Sequence, residues 1–146
     1  MAYRIQSQIN IAAPVEQVWR VLMDFDAYMD WNPFIKSIQG HAAVGEVLEV
    51  RIHPKNQSVM TFKPHVIECQ SNRVFAWKGK VLMRGLFDGE HRFELIETDG
   101  GLSTRFKHYE IFSGLLVPLF RKSLQHNITP AFDAMNQALK QRVENA

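Results

Sequence analysis

Ile5, Ser7, Ile9 and Ile11 fall on one side of an extended chain and mostly polar residues on the other. This period of two predicts a strand over YRIQSQINIAA. The period then changes. Pro14 suits a first helical position, and Val15, Val18, Trp19 and Leu22 recur at i, i+3, i+4 and i+7, which predicts an amphipathic helix ending near Asp24 and Phe25. A short helical turn and a break at Asn32-Pro33 should follow. From residue 35 the alternation predicts strands at 35–42, 45–53, 58–69, 73–80, 88–98 and 102–112, most of them joined by tight connections. Helical spacing returns from Pro118 to Arg142 through Phe120, Leu124, Ile128, Phe132, Met135 and Leu139, with Pro130 expected to kink the helix or mark a restart. The order is strand, helix, six strands, long helix. A meander is antiparallel and has one face to cover, and the terminal helix is the obvious cover.

The stretch ELIETDGGLSTRF sharpens this picture. A two-residue turn, at Asp99-Gly100 or at Gly100-Gly101, makes paired positions sum to an odd number. His91, Phe93 and Leu95 therefore share a face with Thr104, Phe106, His108, Glu110 and Phe112, while Glu90, Arg92, Glu94, Arg105 and Lys107 take the other. The aromatic face is the inner one. Upstream, the same alternation turns Leu48, Val50, Ile52, Phe62, Pro64, Val66, Phe75 and Trp77 inward.

Two histidines and a carboxylate thus lie among aromatic rings. His91 faces His108 if the turn is Asp99-Gly100, and faces Glu110 if it is Gly100-Gly101. Buried polar groups need partners, since an unpaired one costs about 1–3 kcal/mol. Three readings stay open. The trio satisfies itself inside a solid core, lines a cavity where a ligand completes the hydrogen bonding, or forms a two-histidine, one-carboxylate metal triad. No second shell for a metal is visible in the sequence, so no metal and no cofactor are expected.

Alternation also brings the connection KVLMRGLFDG and the segment SGLLVPLF to one end of the sheet. Leu82, Met83, Leu86 and Phe87 would meet Leu115, Leu116 and Val117 there in an apolar patch. A pocket lip is the preferred reading; a homodimer contact and simple packing over the helix end are the others.

Composition narrows the partners. The 146 residues suit one domain, and a formal charge of +2 with scattered Lys and Arg argues against nucleic acid. The longest apolar run is too short to span a bilayer, and the amino terminus has no signal-peptide core, so a cytoplasmic protein without stable membrane insertion is expected. The single cysteine, Cys69, reads as an ordinary strand residue in a reducing compartment. Asp24, Asp26 and Asp30 read as capping or solvated residues, because nothing pairs them with a base.

INIAAPVEQVWRVLMDFDAYMDWNPF, FAWKG, LFDGEHRFEL, TRFKHYEIFSGLL and the long terminal helix together resemble the START-related superfamily, in particular its polyketide cyclase/dehydrase branch, over nearly the whole chain. The resemblance implies an α+β helix-grip fold: a curved seven-stranded antiparallel sheet wrapped around a long C-terminal helix, with short helices between the first two strands, in a single ligand-binding domain spanning residues 1–146. It also implies a small hydrophobic ligand, whether lipid, aromatic or polyketide-like, bound in an internal cavity. Phe62, Phe75, Trp77, Phe93, Phe106, Phe112, Leu86 and Leu115 would then be wall and lip residues, with His91, His108 and Glu110 as polar contacts. The alternatives are a cyclase or dehydratase-like enzyme using those three as catalytic groups, and a protein-interaction module using the apolar mouth.

Overall fold

The computed structural model describes residues 2–54, 57–80, 85 and 87–146. Strand β1 (Ala2–Ile11) leads into α1 (Val15–Met23), a 3-10 turn (Phe25–Ala27) and the one-turn α2 (Tyr28–Trp31). Strands β2 (Ile35–Gln39), β3 (Glu49–Ile52), β4 (Met60–Phe62), β5 (His65–Gln70), β6 (Val74–Lys80), β7 (Asp88–Thr98) and β8 (Ser103–Ser113) follow, and α3 (Val117–Glu144) ends the chain.

All strand pairs are antiparallel, and β8 returns beside β1. The described residues form eight strands in two sheets, ordered β1-β8-β7-β6-β5 and β2-β3-β4, where the sequence predicted seven strands in one. The extra break falls at Lys63-Pro64, inside the predicted strand 58–69. Proline has no N–H to donate to a ladder, so the strand divides there into β4 and β5. The sheets remain stitched across the break: Leu48 N–H donates to the Pro64 carbonyl at 2.8 Å, and Val66 N–H to that of Glu46 at 2.9 Å. The result is a bent surface with one concave face.

Hairpin β7-β8 has His91 opposite Glu110, the register expected from a Gly100-Gly101 turn. The last pair is Thr98 with Ser103, so the loop is Asp99–Leu102, four residues long, with Asp99 and Gly100 at φ 55 and 63. Lengthening the loop by one residue on each side preserves the parity, and with it the face assignment.

The amino-terminal aromatic segment packs as a plug. Val15, Val18 and Leu22 of α1 are buried, and the Tyr28 hydroxyl donates to the Leu22 carbonyl at 2.6 Å. Asn32 makes the sharp turn before β2: its Oδ1 accepts from the N–H groups of Phe34 at 2.9 Å and Ile35 at 2.8 Å, which aims the Phe34 ring inward. Asp24, Asp26 and Asp30 are exposed.

Helix α3 runs unbroken through Pro130, without the expected restart. The bond that proline cannot make is to the carbonyl of His126, which lies on an exposed turn where water can replace it. The two halves of α3 differ. Ile128, Phe132, Met135, Leu139 and Val143 are buried in the carboxy-terminal half, whereas residues 118–127 hold no buried side chain. No helix in the described residues is long and apolar enough to cross a membrane.

Candidate functional site

Between the less buried half of α3 and the concave face lies a cavity of about 490 Å³. Its floor includes Gly79 and Gly89, paired across β6 and β7. Val50, Ile52 and Phe62 of the smaller sheet form one wall, and Trp77 and Phe112 another. Leu116, Phe120, Leu124 and Ile128 roof it. At the mouth Phe87 makes edge contacts with Phe112 and Phe120, at centroid distances of 5.8 and 5.9 Å. The described parts of the two segments touch at one point, where Leu115 N–H donates to the Gly85 carbonyl at 3.1 Å. Leu82, Met83 and Leu86 lie outside the described residues.

Three ionisable residues interrupt the apolar lining, the exposed Lys80 and the less accessible His91 and Glu110. The latter two face each other across β7-β8, with His91 Nδ1 3.3 Å from Glu110 Oε1. Glu110 leans along its strand over Gly89, where any Cβ would collide with Glu110 Oε2. The missing side chain makes the space in which the carboxyl sits.

Behind His91 the polar contacts continue away from the cavity. His91 Nε2 is 2.8 Å from His108 Nε2, and His108 Nδ1 is 3.0 Å from Asn136 Oδ1 on α3. Asn136 Nδ2 donates to Ser7 Oγ at 3.1 Å, and the Ser7 hydroxyl donates to the exposed carboxylate of Asp133. The file crosses the core from cavity to solvent. His108 is fully buried and stacks on Phe132 with centroids 3.8 Å apart. Burial, and secondarily the neighbouring His91, holds its imidazole well below the usual 6.5, against a smaller opposing effect of the Asn136 hydrogen bond. His108 is therefore neutral at physiological pH.

The structure separates the residues that the sequence grouped. Phe62, Trp77, His91, Glu110 and Phe112 line the cavity. Phe75, Phe93, Phe106 and His108 do not; they are buried in the packed part of the inner face, where Phe93 stacks on Phe75 and Phe106 at 6.5 and 5.7 Å and takes up the space a ligand would need. Leu115 was expected at the lip but is 79% exposed, because the turn into α3 directs Leu116 inward instead. Among the described residues no three His, Cys, Asp or Glu side chains come together as a metal site, and His91, His108 and Glu110 stand in a line rather than around a point.

Several lining residues escaped sequence reasoning. Phe120, Leu124 and Ile128 form an i, i+4, i+8 stripe that was visible, but only as core. Phe34 falls just after the expected break at Asn32-Pro33 and carried no pattern of its own, and Gly79 and Gly89 had no signal beyond being glycines in strands, a known mark of close approach. Asn136 had none.

The sequence profile of a family described as polyketide cyclase/dehydrase and lipid transport matches residues 2–144. No curated protein sequence matches the chain. Among solved structures, the Zhui aromatase/cyclase from Streptomyces sp. R1128 superposes with a TM-score of 0.79 at 16% identity, over 99% of this chain and 95% of that one. Norcoclaurine synthase from Thalictrum flavum, in complex with dopamine and hydroxybenzaldehyde, gives 0.73 at 12% identity over 99% and 88%. A protein from Thermus thermophilus, TTHA0849, gives 0.75 at 15% identity over 98% of both chains. At such identities the likeness is one of fold.

Proposed function

The chain belongs to the polyketide cyclase/dehydrase and lipid transport family, and on that premise we propose that it encloses a small hydrophobic ligand, aromatic or polyketide-like, in the cavity under α3. The observation that carries this reading is the cavity itself: about 490 Å³, walled by Val50, Ile52, Phe62, Trp77 and Phe112, with the paired His91 and Glu110 in its lining. That volume lies within the range of small-molecule sites, and a mostly apolar lining with a few convergent polar groups gives affinity from burial and orientation from the polar contacts. A ring of two or three fused six-membered cycles is of a size with such a space, with the Glu110 carboxyl over Gly89 beside it. The aromatase/cyclase and the norcoclaurine synthase bound to two aromatic compounds, both of similar fold, agree with a ligand of that kind.

Native mass spectrometry of gently purified protein tests this directly. A bound small molecule, or uptake from a panel of bicyclic and tricyclic aromatics, is expected. Leu124→Trp should abolish uptake by filling the cavity from its roof while leaving the circular dichroism unchanged. A chain that stays empty across the panel, or a Leu124→Trp variant that binds as before, sinks the reading.

A second reading rests on one contact, His91 Nδ1 against Glu110 Oε1 in the cavity wall. A paired imidazole and carboxyl beside bound substrate can pass a proton to or from it, as a cyclisation or dehydration requires. Turnover of a poly-β-ketone that falls at least about a hundredfold in Glu110→Ala, with binding retained, is the expected result. Unchanged turnover removes Glu110 from the chemistry.

A further inference from the structure

The file of hydrogen bonds from cavity to solvent has a direction, and the direction fixes the tautomer of each histidine in it. Its outer end is a carboxylate, Asp133, which has no proton to give. Ser7 must therefore donate to Asp133, so Ser7 Oγ accepts from Asn136 Nδ2, and Asn136 presents Oδ1 to His108. Oδ1 can only accept, so His108 carries its proton on Nδ1. Because His108 is neutral in its buried site, its Nε2 holds a lone pair, and the 2.8 Å contact requires His91 to donate from its own Nε2. Each step leaves one choice.

A hydrogen bond across the 3.3 Å between His91 Nδ1 and Glu110 Oε1 takes one further proton. That proton rests on either atom, and in both cases it lies between them. Glu110 Oε2 then bears no proton whether the pair is imidazolium and carboxylate or imidazole and carboxylic acid.

We propose that Asp133, through Ser7, Asn136 and His108, holds His91 with its proton on Nε2, and that the cavity presents Glu110 Oε2 beside it as a hydrogen-bond acceptor, so that the site selects a ligand with an O–H or N–H donor, such as a phenol or enol, over its alkylated counterpart. Oε2 lies over Gly89, and both residues line the cavity. Ser7, Asn136, His108 and Asp133 are positioning residues: they touch no ligand and act by holding His91 in one tautomer. The selection rests on the container reading above, whereas the tautomers do not.

Two measurements test the inference. Long-range proton–nitrogen correlation spectra of the histidine side chains in the free protein should show His108 protonated at Nδ1 and His91 at Nε2. Ser7→Ala should scramble that pattern and Ser7→Thr, which keeps the hydroxyl, should retain it. A reversed pattern, or one indifferent to Ser7→Ala, overturns the chain. For recognition, 2-naphthol should bind the wild-type protein about tenfold or more tighter than 2-methoxynaphthalene, and Glu110→Ala should bring the two to parity. Equal affinity for both in the wild type overturns the selection and leaves the container intact. Retention of neither probe defeats the container reading instead, and the spectra alone then judge the chain.

Discussion

The concave face has two ends, similar in composition and opposite in outcome. Under the carboxy-terminal half of α3, Phe75, Phe93 and Phe106 stack in a row against His108 and Phe132, and no space is left. Toward the mouth, Phe62, Trp77 and Phe112 stand around a cavity. Aromatic content does not distinguish these ends. What differs is how the helix sits over the rings: at the closed end α3 contributes the fully buried Phe132, Met135 and Leu139, and at the open end Phe120, Ser123, Leu124 and Asn127, none of them buried, opposite Gly79 and Gly89. A hollow in a packed protein is made by withholding side chains, and His91 sits where packing stops.

The largest expected contrast is in stability. Phe93→Ala should lower the unfolding free energy by about 3–5 kcal/mol, since the rings around it cannot collapse into the void. Phe62→Ala, at a partly exposed position lining a space already empty, should cost about 1 kcal/mol or less while weakening ligand retention. Urea unfolding of the two variants checks this, and equal losses would erase the distinction between the ends.

A smaller effect marks the boundary. Unfolded His108 takes up a proton near 6.5, while folded His108 stays neutral well below that value. The unfolded state therefore binds more protons as pH falls below 6.5, and stability should decline by up to about 1.4 kcal/mol per pH unit from this group until its folded value is reached. Unfolding measured between pH 7 and about 5 should show that slope in the wild type and lose it in His108→Gln. A slope unchanged by the substitution would mean that other groups carry it.

Gly89→Ala should have the least effect on the fold, within about 1 kcal/mol, because the atom its Cβ meets is the far end of the flexible Glu110 side chain. Glu110 should turn away from His91, and the preference for a hydroxyl-bearing probe should go with it. Thermal unfolding alongside naphthol binding separates the two effects. A loss of several kcal/mol would show that the floor at the open end is packed after all.

Periodicity carried most of the fold. The alternation in β1, β7 and β8 and the stripes of α1 and α3 are local signals, because burial of one face imposes them residue by residue. The face bearing His91, Phe93, Phe106 and Glu110 was legible for the same reason, and parity survived an error in loop length. The division at Pro64 was misjudged because apolar alternation on both sides of a proline outweighed its missing donor. Leu115 was chosen over Leu116 for the lip because adjacent residues differ only in the direction a turn gives them, and no local pattern specifies that direction.

The sequence by itself determined the order of the elements, the inward face and the placement of two imidazoles and a carboxylate on it. Tertiary structure alone decided which of those groups meet the cavity and which are entombed, and it brought Ser7, Asp133 and Asn136 into one file with His108 from opposite ends of the chain. The physical reason is one of range. A side chain's face follows from its immediate neighbours along the strand, whereas empty space and hydrogen-bond polarity depend on what distant segments bring to the same point.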